Sequence, residues 1–308
     1  MTIQQLEYIL AVDKYRHFAK AAEHCGVTQP TLSAMVQKLE DELGVKLFDR
    51  HVQPVTPTAI GIKILKQAKQ IQLQVSQVKE IVHEEKFTLS GILRLAVLPT
   101  IAPYLLPRFF PQFVEKYPDI DIRVMERQTH QIEQGLLSDE IDAAITATHP
   151  EDLNINEDFL FYEEFLGYVS KREPVFKSQL IKTLEVNTHH LWLLDQGHCF
   201  RDQLLRYCQL ESVKVNQIRY NLGSLETFMR MVESGHGLTF IPELAAMQLT
   251  TEQHEYIRPF AIPKPTRQIR LIHHKNYVRN SLLEILIKEI QASVPKQMLS
   301  LQAGQTLV

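Results

Sequence analysis

Cys199 and Cys208 are the residues of this sequence best placed to do chemistry. They are the only close pair among three cysteines, and they frame the segment Gly197-His198-Cys199-Phe200-Arg201-Asp202-Gln203-Leu204-Leu205-Arg206-Tyr207-Cys208. An apolar run, His190 to Leu194, precedes it, and Leu204, Leu205 and Cys208 continue at helical spacing. The pattern predicts a strand followed by a helix from about Phe200 to Leu210, with Cys199 near the helix N-terminus. The helix dipole there, with His198 and Arg201 alongside, is expected to lower the thiol pKa below its reference of about 8.5. Thiolate is the form that reacts with peroxide.

If both cysteines lie on that helix, successive rises of about 1.5 Å separate their Cα atoms by about 13.5 Å, whereas a disulfide needs roughly 4.4 to 6.8 Å. Oxidation of Cys199 to sulfenic acid and condensation with Cys208 would then require the segment to unwind. Two ordinary buried cysteines fit the same spacing equally well. Cys25, next to Gly26, reads as a packing residue. The histidine pairs 189–190 and 273–274 are adjacent rather than four apart, poor geometry for metal ligation, so neither metal nor cofactor is expected. Thr100 and Thr129 precede helical stretches, where N-capping alone accounts for them. Arg267 and Arg270 fall on a late strand, where solvation would equally explain them.

The elements that position these residues follow from composition and periodicity. The chain has 308 residues, 44% hydrophobic and 22% charged, which excludes disordered or collagenous classes and suggests two domains. Three cysteines make no disulfide framework. No long uninterrupted apolar run and no basic-then-apolar start is present, so a soluble, cytoplasmic protein without membrane association is expected. Net charge is −3, yet residues 1 to 90 hold 11 Lys/Arg against 10 Asp/Glu, a weak asymmetry in the direction of a nucleic-acid-binding head.

Up to about Arg50 the apolar residues predict three short helices, with a turn at Gly26-Val27-Thr28 and a wing from Arg50 to Pro57. Ala22 at a helix crossing, Gly26 where positive φ is needed and Leu32 on the inner face suit a helix-turn-helix. Its second helix presents Gln29, Pro30, Thr31, Ser33, Gln37 and Lys38 outward, though a plain helical hairpin with a solvated face fits as well. Ile60, Ile64, Ala68, Ile71, Val75, Val78 and Val82 then mark one amphipathic helix from Thr58 to about Glu85, suited to pairing with its copy or to packing on its own domain. Beyond Gly91, short apolar runs alternate with helical segments: strands at Ile92–Leu98, Ile120–Met125, Ile141–Ala147, His190–Leu194, Gln217–Tyr220, Leu238–Ile241 and Ile269–His273. That alternation predicts two α/β lobes of parallel strands about a cleft.

The stretch Phe18-Ala19-Lys20-Ala21-Ala22, then Gln29-Pro30-Thr31-Leu32-Ser33, then Leu39-Glu40-Asp41-Glu42-Leu43-Gly44-Val45-Lys46-Leu47-Phe48-Asp49-Arg50 resembles the winged helix-turn-helix of LysR-type transcriptional regulators. The likeness continues through Thr56-Pro57-Thr58 and Gly61 and spans nearly the whole chain, leaving only the tail after about Pro295. It implies an α/β protein with an all-α, winged head: a DNA-binding domain at 1–58, a linker and dimerisation helix at 59–88, and a two-lobed regulatory domain resembling periplasmic binding proteins at 89–308. Gln29, Pro30, Thr31 and Ser33 would enter the major groove of double-stranded promoter DNA, while Lys38, Arg50 and Thr56 touch its backbone.

The Gly197–Cys208 segment, with Leu98-Pro99-Thr100, Pro103-Tyr104-Leu105-Leu106-Pro107, Thr129-His130-Gln131 and Ser224-Leu225-Glu226-Thr227, is similar to the peroxide-sensing members of that family. The resemblance implies hydrogen peroxide as signal, a Cys199–Cys208 disulfide, and a non-enzymatic activator of oxidative-stress genes. Thr100 and Thr129 would hold peroxide, His130 and His198 would lie near the same pocket, and Arg201 and Arg267 would favour the thiolate. A homodimer or homotetramer working with RNA polymerase is implied too. The rival within the family is a small-metabolite effector in the cleft, with incidental cysteines. A secreted solute-binding protein or a thiol peroxidase leaves the helix-turn-helix unexplained.

Overall fold

The computed structural model describes all residues except 51, 86–88, 183–185, 187–189, 196 and 210–223. It divides into two units, Met1–Phe87 and Thr88–Val308. No helix among the described residues is long and apolar enough to cross a membrane.

In the first unit, α1 (Ile3–Tyr15), α2 (Phe18–His24) and α3 (Gln29–Leu43) form where the apolar spacing predicts. Thr2 caps α1 with a reciprocal bond to Gln5, and Thr28 caps α3, whose first turn accommodates Pro30 because that position needs no N–H donor. Gly26 takes φ +66°, a left-handed conformation that lets the chain turn between α2 and α3. Leu6, Ile9, Val12, Ala21, Ala22, Leu32, Val36 and Leu39 make the core. The wing is a short antiparallel pair, β1 (Phe48–Asp49) with β2 (Thr56–Pro57). The long helix α4 (Ala59–Glu85) buries Leu65 and Ala68 in the core of its own head, so its stripe is not free for a partner along its full length; Ile60, Ile62 and Val78 remain exposed.

Glu40 is the buried polar centre of this unit. Its Oε1 accepts the Leu47 N–H at 2.8 Å and the Phe48 N–H at 3.4 Å, and its Oε2 pairs with Arg50 at 3.2 Å and Lys46 at 3.3 Å. It thereby fixes the end of α3 to the start of the wing.

The second unit begins with β3 (Gly91–Val97), α5 (Ala102–Lys116), β4 (Ile120–Glu126), α6 (Thr129–Leu137) and β5 (Ala143–Thr146), in which β3 pairs parallel with both β4 and β5. The 15-residue strand β6 (Ile155–Val169) follows, then α7 (Cys199–Tyr207), α8 (Leu225–Glu233), β7 (Leu238–Pro242), α9 (Glu243–Ala246), α10 (Thr251–His254) and β8 (Ile257–Pro259). Strand β9 (Lys264–His274), α11 (Asn280–Ser293) and β10 (Gln305–Leu307) complete it.

The lobes are not built of parallel strands alone, as the alternation predicts. Strands β6 and β9 run antiparallel through both lobes. The first half of β6 lies beside β9 in the lobe of β3, β4 and β5, and its second half pairs antiparallel with β7 and β8. Of the predicted strand at His190–Leu194, Leu191 forms a single bridge to Leu238 and no ladder follows. The predicted strand at Gln217–Tyr220 lies outside the described residues.

Replacing Glu40 by Gln removes the charge but keeps the shape, leaving Arg50 without its buried partner. The head is expected to lose about 1–3 kcal/mol, read as a lower thermal midpoint for its unfolding; an unchanged midpoint would contradict this assignment.

Candidate functional site

Helix α7 starts at Cys199 and ends at Tyr207, with His198 before it and Cys208 just after it. Gly197 has φ +97°, a conformation only glycine adopts readily, and it turns the chain into the helix. Both cysteines are free thiols, 7% and 3% exposed, held at opposite ends of an intact helix. The spacing expected from sequence therefore stands: a covalent bond between them needs α7 to open.

The expected lowering of the Cys199 pKa by His198 and Arg201 does not hold. Burial pushes the Cys199 thiol up, and Arg267, the facing Thr129 hydroxyl and the Phe200 backbone N–H only offset that, while Asp202 adds to it. Burial likewise holds the His198 pKa down, although Asp195 and Asp202 pull it up. The neutral imidazole is the favoured form, and His198 Nε2 lies 3.2 Å from Gln128 Nε2. Arg201 is spent elsewhere, with Nη1 donating to the Leu194 carbonyl at 2.9 Å. Cys208 is pushed up to about 12 by burial alone.

The cation that matters is Arg267 on β9, 1% exposed and not solvated. Its Nε donates to Glu163 Oε2 at 2.9 Å and its Nη2 lies 2.7 Å from the same oxygen. Nη1 donates to Thr100 Oγ1 at 3.1 Å and Nη2 to the Thr100 carbonyl at 3.0 Å. The guanidinium also stands 5.1 Å from the Phe200 ring centroid and 5.7 Å from that of Phe165. Glu163 Oε1 in turn accepts the Leu244 N–H at 3.0 Å. Thr100 is thus no helix cap; α5 starts after Ile101, and the Thr100 hydroxyl serves Arg267.

Thr129 is the first residue of α6, and Gln128 is its cap. Its hydroxyl faces Cys199, where it favours the thiolate, but it is buried and no described atom completes a hydrogen bond of ordinary geometry with it. His130, next along α6, is exposed. The structure therefore gathers Cys199, Thr129 and Arg267, with Thr100 bonded to Arg267, ties Arg201 to the Leu194 carbonyl, and leaves His130 exposed. Glu163 and the Leu244 amide escape sequence reading; the one signal was a carboxylate inside an otherwise apolar stretch. A thiol in this setting is dry, hydroxyl-lined and near one guanidinium, which suits reaction with a small polar oxidant. Among the described residues no group of His, Cys, Asp and Glu has the arrangement of a metal site.

In the head, α3 exposes Gln29, Pro30, Thr31 and Lys38, and Ser33 is half-buried. The Thr31 hydroxyl shares a 2.8 Å bond with Thr28. Arg50 donates to Ser33 Oγ at 3.3 Å and stands 4.9 Å over the Phe18 ring, and Thr56 is exposed at the edge of the wing.

Residues 3–62 match the description "Bacterial regulatory helix-turn-helix protein, lysR family", and residues 88–295 match "LysR substrate binding domain". The chain is 37% identical to the "Hydrogen peroxide-inducible genes activator" of Haemophilus influenzae, covering 89% of this chain and 90% of that one. It is similar to a crystal structure of reduced OxyR from Porphyromonas gingivalis, at 51% identity and TM-score 0.65, covering 70% of this chain and 100% of that one. Full-length OxyR from Pseudomonas aeruginosa, in a variant form, superposes with TM-score 0.75 at 32% identity, over 94% of this chain and 98% of that one. The chain belongs to the LysR family of bacterial transcriptional regulators.

Proposed function

We propose that this regulator senses hydrogen peroxide at Cys199 and reports it through a disulfide with Cys208. The Cys199 thiolate attacks one peroxide oxygen, the O–O bond breaks, and the other oxygen leaves as water once protonated, giving the sulfenic acid. The Cys208 thiol then attacks that sulfur and a second water leaves, forming the disulfide. The observation that carries this reading is the Thr129 hydroxyl, buried, facing a thiol that Arg267 also favours as thiolate, and without a hydrogen bond of ordinary geometry among the described residues. Peroxide offers two oxygens able to accept and donate, the partner such a hydroxyl lacks. The names of the curated relatives support the same signal.

Thr129 and Thr100 hold peroxide in this reading, His198 lines the pocket, and Arg267 in place of Arg201 stabilises the thiolate. His130, exposed and next to Thr129 on α6, lies near the same pocket in this reading. Each oxidation is a single signalling event rather than a catalytic cycle, so the protein is no enzyme. The chain divides functionally into a head at 1–58, a linker at 59–88 and a sensor at 89–308. The head binds promoter DNA in the bacterial cytoplasm through Gln29, Pro30, Thr31 and Ser33 in the groove and Lys38, Arg50 and Thr56 on the backbone. Disulfide formation remodels α7 and the segment after it, of which 210–220 lie outside the described residues, changes packing between regulatory domains of a dimer or tetramer, and so alters how the assembly engages RNA polymerase.

A near-stoichiometric pulse of hydrogen peroxide on the reduced protein, followed by non-reducing peptide mapping, tests this. A Cys199–Cys208 link is expected in the native chain, a trapped sulfenic acid in Cys208→Ser, and neither in Cys199→Ser. Retention of the Cys199 thiol in the native chain would favour the metabolite-binding alternative.

Because burial holds the thiol above its ordinary value, the thiolate is the minor form at neutral pH. The rate of Cys199 oxidation is expected to rise about tenfold per pH unit across roughly pH 6 to 8, followed by stopped-flow in Cys208→Ser. A rate already level below about pH 7 would show that Arg267 overcomes burial.

A further inference from the structure

The final nine residues, 300–308, lie outside the family match that ends at residue 295, and they do not touch Cys199 directly in any bond of the site. Their placement is nonetheless specific. Strand β10 adds to β9 in parallel, with Gln305 opposite Lys264, Thr306 opposite Pro265 and Leu307 opposite Thr266. The Lys264 N–H donates to the Gly304 carbonyl at 2.7 Å, and the Val308 N–H to the Thr266 carbonyl at 3.2 Å. The tail is thus laid along the three residues that lead into Arg267.

The same tail reaches the sensor helix. Gln203, one turn after Cys199 on α7 and 3% exposed, donates from Nε2 to the Val308 main-chain oxygen at 3.3 Å and to the Ala147 carbonyl at 2.9 Å. Both partners are acceptors, so the amide nitrogen must face them, and Oε1 is left buried with no partner among the described residues. At the far end of α7, the Tyr207 hydroxyl donates to the Pro263 carbonyl, immediately before β9. The middle and end of α7 are therefore tied to the tail and to the start of β9.

We propose that Gln203 and the β10 tail form a latch that keeps α7 helical in the thiol state and sets the rate of the second oxidation step. This rests on the peroxide-sensing reading above and adds a positioning role for Gln203. The first step, attack of Cys199 on peroxide, needs no movement of α7. The second brings Cys199 and Cys208 from opposite ends of the helix into bonding distance, so the Gln203 bonds must break before the sulfur–sulfur bond forms and water leaves. Opening also returns the stranded Oε1 to water, so the latch resists opening without making the open state unreachable.

Two variants test it with head and regulatory domain both present: a chain ending at Ser300, and Gln203→Met, which keeps length and flexibility but not the amide. The first step is read by sulfenic-acid trapping after a peroxide pulse, and the second by quenched alkylation and mapping of the 199–208 link. Second-step rates are expected to be about tenfold faster in each variant, with no further gain when the two are combined, and first-step rates within about twofold of the native chain. Unchanged second-step rates overturn the latch. Equal changes in both steps also overturn it, since the tail then shapes the thiol pocket rather than the opening of α7. A native chain that forms no 199–208 link overturns the sensor reading itself, and is told apart because it fails before any variant is compared.

Discussion

The buried ion pair between Arg267 and Glu163 is the interaction on which the regulatory domain depends. A guanidinium removed from water is tolerated only when its donors are answered, and breaking such a pair from one side costs about 3–5 kcal/mol. Here every partner comes from a different element: Glu163 from β6, Thr100 from the loop after β3, and the faces of Phe200 on α7 and Phe165 on β6. Glu163 is in turn held by the start of α9 through Leu244. One charge pair therefore joins the two long strands, the loop of one lobe, a helix of the other, and the helix that carries Cys199. Its position explains how a buried thiol comes to have a cation nearby without a cation of its own segment.

The reactivity of Cys199 is a balance of opposed effects. Burial favours the neutral thiol, whereas Arg267, Thr129 and the Phe200 amide favour the thiolate. Burial strengthens each of those polar contacts. Cys208 has burial without compensation, so the two thiols are chemically unequal. In the proposed sequence of steps, the thiol beside Arg267 and Thr129 meets peroxide and Cys208, which has no such neighbours to offset its burial, follows. A helix of the length of α7 is marginal on its own in water. Its persistence comes from tertiary ties, which makes it the element that a new covalent bond can displace without dismantling the sheet.

Much of this was legible in the sequence where the signal is periodic. The three head helices, the turn at Gly26, the first three strands of the regulatory domain and α7 all follow from apolar spacing and punctuation. Strand β6 was not, because Glu157, Asp158, Glu163 and Glu164 break its apolar run; Glu163 is buried against Arg267 and so behaves as an interior residue despite its charge. Glu40 was hidden likewise among acidic neighbours that are exposed. The direction of the Cys199 shift was misjudged because helix position and neighbouring residue types carry no information about burial, and because the effective cation lies 68 positions downstream. The tail went unread since three residues joining a sheet edge leave no pattern, and their meaning depends on Gln203 reaching them from elsewhere.

The central claim is that joining the two cysteines requires α7 to open, and amide hydrogen exchange on the thiol and disulfide forms of the same protein measures that most directly. Amides of residues 203–207 are expected to be protected in the thiol form and to lose that protection after oxidation, while those of β3 and β5 stay unchanged. Equal protection of residues 203–207 in both forms would contradict the account.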